Sequence, residues 1–144
     1  MAGALFIYMP SQINDVVAVA TLLLSGYLVV VAMLAGSFIN LAADRVPRGE
    51  SLIAPRSHCR SCGRVLNALD LLPVAGYALR RGRCATCGVG IGVSSPIVEA
   101  ACGIVMGAAI LRLGLWPGAA AGLAGVTLIG LGLTTYARRR YRSA

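Results

Sequence analysis

Charge is scarce in this sequence. Only 12% of its 144 residues are charged, 58% are hydrophobic, and the mean hydropathy is +0.79. Soluble domains carry about 25% charged and about 45–50% apolar residues. A chain this apolar has too few polar side chains to cover a globular core. A soluble globular fold is therefore excluded, and the composition indicates an integral membrane protein.

Lysine is absent, so arginine carries all 13 basic charges. Eight arginines lie between residues 45 and 83, four lie in the tail at 138–142, and only Arg112 lies elsewhere. The positive-inside rule then predicts an outward-facing N-terminus, with a cytoplasmic 40–94 segment and a cytoplasmic C-terminus. Orientation and contact with anionic lipid headgroups account for these arginines. No nucleic-acid partner is expected.

Three apolar stretches are long enough to cross a bilayer. They cover residues 16–39, 95–115 and 117–137, between an N-terminal segment 1–15 and a basic tail 138–144. At about 1.5 Å per residue each reaches about 30 Å, the thickness of the hydrocarbon layer. The second carries Glu99 and Arg112, whose charged ends can extend toward opposite interfaces. The N-terminus has no basic region and no small-residue cleavage motif, so no cleaved signal peptide is expected.

Two copies of one short motif lie in the polar segment between the first two stretches. Cys59-Arg-Ser-Cys62-Gly63 recurs 25 residues later as Cys84-Ala-Thr-Cys87-Gly88. In such a zinc knuckle a tight turn presents two thiolates, and glycine takes the positive φ that a β-carbon would obstruct. Four thiolates satisfy tetrahedral Zn²⁺ without an open position, which predicts a structural zinc site. The expected fold is an all-α integral membrane protein with about three transmembrane helices and a cytoplasmic zinc-knuckle loop between the first and second.

Disulfides, a redox-active pair and an iron site are the alternatives for these cysteines. A cytoplasmic position disfavours stable disulfides. A thioredoxin-type pair normally occurs once, beside a βαβ pattern that this sequence lacks. His58 adjoins the first knuckle but is expected outside the ligand set, and Cys102 is expected to be a small packing residue in the second helix.

Several phrases in the first two thirds of the chain match a known pattern in order and spacing. They are Gly36-Ser-Phe-Ile-Asn40, Arg45-Val-Pro-Arg-Gly-Glu-Ser51, Pro55-Arg-Ser-His-Cys59, Asp70-Leu-Leu-Pro73, Leu79-Arg-Arg-Gly-Arg-Cys84 and Ser95-Pro-Ile-Val-Glu99. Together with the two knuckles, they resemble the N-terminal domain of type IV prepilin peptidases, the leader peptidase/N-methyltransferases of bacterial membranes. The family usually has Asp-Asn-Ile-Pro at 70–73 and Arg-Tyr-Pro at 94–96, where this chain differs. The resemblance implies a bacterial cytoplasmic (inner) membrane location, zinc on the four cysteines, prepilin or pseudopilin substrates and S-adenosylmethionine as methyl donor.

The resemblance does not extend to the peptidase residues. Members of the family cleave the leader with two aspartates in later membrane segments, and Thr135 occupies the place of the first. A carboxylate protease needs two acids that share a proton. None of the five acids here lies in the third stretch or the tail; they are Asp15, Asp44, Glu50, Asp70 and Glu99. The chain is therefore predicted not to be a peptidase by itself, and a separate aspartic peptidase subunit is an expected partner.

Three functions are compatible with these patterns. The favoured hypothesis is a stand-alone module for processing or N-methylation of prepilin-like proteins, with Asp70 and Glu99 as candidate catalytic or binding residues. Simpler roles exist for both: Asp70 could pair with a loop arginine, and Glu99 could stabilise the N-terminus of the second helix. The second hypothesis is a non-catalytic, zinc-stabilised scaffold or degenerate paralogue of the pilus or type II secretion machinery. The third is a membrane thiol oxidoreductase.

Overall fold

The computed structural model describes residues 2–143, with side chains described from residue 12 onward. Four α-helices occur in this part of the chain: α1 at Ala2–Arg45, α2 at Ala75–Leu79, α3 at Ser94–Leu113 and α4 at Leu115–Arg142. A single 3₁₀ turn at Val46–Arg48 follows α1. The helices α1, α3 and α4 are long and apolar enough to cross a membrane. The all-α membrane fold with about three spanning helices is confirmed.

The chain turns sharply between α3 and α4. Gly114 adopts a φ of 81°, and its N–H donates to the carbonyl oxygen of Ile110 at 2.9 Å, which ends α3. The helix α4 begins at the next residue, with Pro117 in its first turn. Proline is tolerated there because the N–H groups of the first turn have no acceptor within the helix. The two helices therefore form a hairpin with almost no connecting loop.

Small residues allow the three long helices to pack closely. A β-carbon on Gly36 of α1 would lie 3.0 Å from the Sγ atom of Cys102 on α3, and one on Gly118 of α4 would lie 2.6 Å from the carbonyl oxygen of Ala109. The buried core between the helices consists of Ala32, Val98, Cys102, Met106, Ile110 and Val126. Cys102 is completely buried there, as expected of a packing residue.

The first and last long helices run in the same direction. Near the end of α1 that leads into the cysteine loop, a β-carbon on Gly130 of α4 would lie 3.2 Å from the Cδ1 atom of Ile39 on α1. The turn Val46–Arg48 also packs against α4. The cysteine loop between α1 and α3 and the basic end of α4 therefore lie at the same end of the bundle, which is the relative arrangement that the arginine distribution predicts.

Candidate metal centre

The first knuckle is a tight turn held by its own backbone. The N–H of Cys59 donates to the carbonyl oxygen of Arg64 at 2.9 Å, and the N–H of Gly63 donates to that of Cys59 at 2.9 Å. Gly63 has a φ of 71°, a conformation that strains residues with a β-carbon. His58 and Val65 form an isolated antiparallel bridge that closes the turn.

The second knuckle repeats this geometry. The N–H of Cys84 donates to the carbonyl oxygen of Val89 at 2.9 Å, and the N–H of Gly88 donates to that of Cys84 at 3.0 Å. Gly88 has a φ of 70°. The repeated sequence therefore builds two equivalent turns, each of which presents two cysteine side chains.

The two knuckles bring four sulfur atoms together. The Sγ atoms of the quartet all lie within 4.8 Å of one another; its members are Cys59, Cys62, Cys84 and Cys87. The Sγ–Sγ distance is 3.8 Å between Cys59 and Cys87 and 3.9 Å between Cys62 and Cys84. A tetrahedral zinc site with Zn–S bonds of about 2.3 Å places its sulfur atoms about 3.8 Å apart. The quartet therefore fits a tetrahedral metal such as Zn²⁺.

The same distances argue against a redox-active pair. Both close sulfur contacts join cysteines of different knuckles, whereas a dithiol oxidoreductase uses the two cysteines of one Cys-x-x-Cys motif. All five cysteines are free thiols. The arrangement is that of a four-ligand cage.

Backbone donors prepare part of the quartet for ionisation. The backbone N–H of Cys87 and then that of Thr86 donate toward the Cys84 sulfur and lower the pKa of this thiol to about 6. The backbone N–H of Cys62 acts on Cys59 in the same way and lowers its pKa as well. Each knuckle thus stabilises a thiolate on its first cysteine, and the thiolate is the form that binds metal.

Cys62 behaves differently. The backbone N–H of Arg64 lowers the pKa of its thiol, but desolvation and the neighbouring thiols of Cys87, Cys59 and Cys84 raise it by more, to about 11. Four thiolates this close together repel one another unless a cation lies between them. Complete ionisation of the quartet therefore requires the metal.

Asp70 links the flanks of the two knuckles. Its Oδ2 atom accepts from the Nη2 atom of Arg64 at 2.6 Å, and its Oδ1 atom accepts from the Nε atom of Arg80 at 2.7 Å. The backbone N–H of Asn67 also donates to Oδ2, at 3.1 Å. Burial alone would raise the pKa of Asp70, but the N–H of Asn67 and the two guanidinium groups lower it to about 2. The carboxylate is therefore ionised and fully engaged in holding the loop together.

Glu99 joins the loop to the membrane helices. It is buried in the second turn of α3, where its Oε1 atom accepts from the hydroxyl of Ser95 at 2.8 Å. Its Oε2 atom accepts from the backbone N–H of Val74, the residue before α2, at 2.7 Å. Both carboxylate oxygens therefore have hydrogen-bond donors within the protein, and Glu99 connects α2 to α3.

A network of ion pairs attaches the first knuckle to the end of α1. Asp44 pairs with Arg48 and with Arg60 of the first knuckle, and Glu50 pairs with Arg48 at 3.0 Å. Arg45 is buried and donates to the carbonyl oxygens of Ser51 at 2.8 Å and Pro55 at 3.0 Å. These contacts determine the position of the quartet relative to the bundle.

A cleft of about 700 Å³ lies between the end of α1 and the first knuckle. Its walls include Asp44, Glu50 and His58, together with the apolar side chains of Leu41 and Leu66. His58 lies outside the sulfur quartet, with Nδ1 2.9 Å from the carbonyl oxygen of Arg56. The motifs in the sequence did not predict a site at Asp44 or Glu50. The signal was present in the spacing, since Arg48 follows Asp44 by one helical turn and precedes Glu50 by two residues.

Comparison with known proteins supports the resemblance. The sequence model of the family described as the bacterial peptidase A24 N-terminal domain matches residues 30–113, which include the quartet, Asp70 and Glu99. The chain belongs to this family. The A24 N-terminal domain match begins within α1 and ends at the last residue of α3.

The similar proteins of this family are prepilin leader peptidase/N-methyltransferases. That of Myxococcus xanthus is 39% identical over 88 residues, which cover 61% of this chain and 26% of the relative. That of Bacillus subtilis is 34% identical over 88 residues, 61% of this chain and 36% of the relative. That of Neisseria gonorrhoeae is 28% identical over 131 residues, 74% of this chain and 43% of the relative. The chain thus spans less than half the length of each of these relatives, and no solved structure matches it.

Proposed function

We propose that this chain is a membrane module for the processing or N-methylation of type IV prepilin-like proteins, and that its peptidase carboxylates come from a separate aspartic peptidase subunit. The main observation in support is that four cysteine sulfur atoms, separated by distances typical of a tetrahedral zinc site, lie inside the segment that matches the A24 N-terminal domain family. The module acts in the bacterial cytoplasmic membrane, with the cysteine loop and the C-terminus on the cytoplasmic side. The arginine distribution supports this orientation.

Zinc in the quartet has a structural role in this proposal. Four thiolates leave no open coordination position, so the metal orders the loop and does not activate water. The loop contains one five-residue helix and no buried apolar cluster of its own among the described residues. Metal binding therefore supplies much of its folding free energy, on the order of 10–16 kcal/mol.

The state of the carboxylates supports the absence of peptidase activity in this chain. An aspartic dyad holds two carboxyl groups that share a proton. Asp44 and Glu50 are instead bridged by the guanidinium of Arg48, and Asp70 lies between two arginines. The pKa of Asp70 is lowered to about 2, so this carboxylate is ionised and does not share a proton with another acid.

For methyl transfer, the cleft beside α1 is the favoured binding site for S-adenosylmethionine. Its volume lies within the range of small-molecule sites, about 300–1,000 Å³. Leu41 and Leu66 offer apolar surface for the adenine. The charged side chains of the lining are available to the charged methionine part of the donor; they are Arg45, Arg48, Arg60, Asp44 and Glu50. Asp70 and Glu99 stay predicted contributors to this activity, and their hydrogen bonds support a positioning role, since they hold the loop in place.

Binding of the methyl donor is testable directly. Ultraviolet cross-linking of radiolabelled S-adenosylmethionine to the purified chain should be lost in Glu50→Gln and retained in Asp15→Asn, which makes the same change of charge on a remote part of α1. Equal labelling of both variants and the wild type would exclude the cleft as the binding site.

The test of the whole proposal is co-purification from native membranes in mild detergent, with metal analysis and mass spectrometry on one sample. One zinc per chain with a co-eluting aspartic peptidase is the expected result, and Cys84→Ser should lose both. Zinc without a peptidase, and without methylation of a prepilin on reconstitution, would favour the scaffold hypothesis. One observation favours the scaffold hypothesis: Asp70 and Glu99 make contacts that hold the loop together and attach it to α3.

A further inference from the structure

The shortest membrane helix determines the depth of the neighbouring loop. The helix α3 has 20 residues, from Ser94 to Leu113. At 1.5 Å per residue it is about 30 Å long, which equals the thickness of the hydrocarbon layer. Since α4 begins immediately after Gly114, α3 needs its entire length to cross. Ser94 and Ser95 therefore lie at the boundary between hydrocarbon and headgroups.

The start of α2 lies at the same level. The carboxylate of Glu99 leans toward the N-terminus of α3, as side chains in helices do, and contacts the hydroxyl of Ser95 at 2.8 Å. The backbone nitrogen of Val74 is 2.7 Å from this carboxylate. Val74 is thus level with the first turn of α3, at the hydrocarbon boundary.

The first knuckle lies farther from the membrane. A β-carbon on Gly36 of α1 would lie 3.1 Å from the Cα atom of Glu99, so the two residues are level. Asp44 lies eight residues beyond Gly36, about 12 Å along the helix toward the loop, whereas Ser94 lies only about 7.5 Å beyond Glu99. Arg60 of the first knuckle pairs with Asp44. The knuckle is therefore on the aqueous side of the boundary that α2 occupies.

The side chains around α2 suit an interface. Leu72, which precedes α2, and Leu79, its last residue, are 44% and 69% exposed. Ile97, in the first turn of α3, also has an exposed apolar side chain. Arg81 and Arg83 follow Leu79, and neither has an acidic partner in the part of the chain that the structure describes. Leucines next to unpaired arginines match the acyl chains and the phosphates of a bilayer surface.

We propose that residues 71–83, with α2 at their centre, form an interfacial anchor that lies in the headgroup region of the loop-side leaflet and binds anionic phospholipid. The leucines enter the acyl-chain boundary, and Arg81 and Arg83 contact lipid phosphate. The anchor positions the loop against the bilayer, and it is independent of whether the module processes prepilins.

The sequence offers a simple probe of depth, because Trp116 is its only tryptophan. In a Trp116→Phe background, the full chain carrying Leu79→Trp is reconstituted into vesicles of phosphatidylcholine and phosphatidylglycerol. The matched control is Val65→Trp, an exposed apolar position in the first knuckle. Zinc content of each variant establishes that the loop is folded, and Leu72→Trp replaces Leu79→Trp if the latter loses metal.

The expected result is opposite quenching of the two variants. Brominated acyl chains should quench the emission of Leu79→Trp, which aqueous iodide should not reach, and the reverse should hold for Val65→Trp. Iodide quenching of Leu79→Trp and Leu72→Trp that equals that of Val65→Trp would overturn the anchor.

The lipid preference has its own test. The emission of Leu79→Trp should shift to shorter wavelength when phosphatidylglycerol is added to phosphatidylcholine vesicles, and the additional changes Arg81→Gln and Arg83→Gln should abolish this shift. Identical emission in both vesicle types, with the arginines intact, would refute the binding of anionic lipid.

Discussion

Replacement of Asp70 by asparagine tests whether the ion pairs of Asp70 with Arg64 and Arg80 stabilise the metal site. Arg64 lies two residues after the first knuckle pair and Arg80 lies four residues before the second, so Asp70 joins both halves of the cage through hydrogen bonds of 2.6 and 2.7 Å. The substitution keeps the size of the side chain but removes its charge. One amide nitrogen of the new side chain would then face a guanidinium.

The expected loss can be worked out from these contacts. Hydrogen bonds to charged groups contribute about 1.5–3 kcal/mol each. The Asp70 side chain is only 5% exposed, but those of Arg64 and Arg80 are 25% and 32% exposed, which lowers the contribution of each pair. Asparagine retains one acceptor oxygen. We expect a loss of about 2–3 kcal/mol in the free energy of folding of the loop.

This loss should be visible as weaker metal binding. Because folding of the loop and binding of the metal are coupled, and about 1.4 kcal/mol corresponds to a factor of ten, the apparent zinc affinity should fall by about 30- to 160-fold. Competition with a chromophoric chelator, on the full chain in detergent near neutral pH, measures it. Asp15→Asn is the control. An affinity of Asp70→Asn within about twofold of the control would refute the reasoning.

The pH dependence provides a second check on the same variant. The pKa of Asp70 is about 2 in the folded protein, below its unfolded value of about 3.9. Its stabilisation is therefore complete above about pH 4 and is lost as the pH falls through about 2. The ratio of affinities between wild type and Asp70→Asn should be constant between about pH 5 and about pH 8, where Asp70 is ionised in both states. A ratio that changes across this range would show that another group is responsible.

Three further results are expected. Serine at any one cysteine of the quartet should release the metal and lower the yield of folded protein, whereas Cys102→Ser should retain it in the same metal analysis. Gly118→Val should cost about 1–3 kcal/mol through overpacking against α3, seen as a lower melting temperature by circular dichroism. Gly26→Val should not, because no atom lies within 4 Å of its added β-carbon; equal melting temperatures would contradict the close packing. Glu99→Ala should speed hydrogen exchange at Val74 and in α2 with little loss of metal, and unchanged exchange would show that the contact does not hold the loop.

Local patterns explain what the sequence predicted well. The three long helices follow from uninterrupted apolar stretches, and each knuckle follows from a turn of five residues whose glycine permits positive φ. Proximity of the two knuckles could be inferred because four thiolates are needed to complete one tetrahedral site. These features depend on neighbours in the chain or on the coordination number of a metal.

The partners of the acidic residues depend on tertiary structure and were less predictable. From the sequence, any of eight loop arginines could pair with Asp70, and only the folded loop selects Arg64 and Arg80. For Glu99 the sequence suggested a role near the N-terminus of its own helix. The carboxylate accepts from Ser95 there, but it also accepts the N–H of Val74, 25 residues earlier, which the sequence did not predict. The helix α2 was not anticipated, because five residues are too few to display a helical period.

The contact between Glu99 and Val74 has a consequence for the order of assembly during synthesis. All four cysteines of the quartet precede α3 in the chain, so both knuckles are made before the helix to which the loop is finally attached. At about 5–20 residues per second, Glu99 follows Cys87 by about 0.6–2.4 seconds. Metal capture by the nascent chain can therefore begin before α3 is inserted. The attachment of α2 is completed only when α3 has entered the bilayer beside α1.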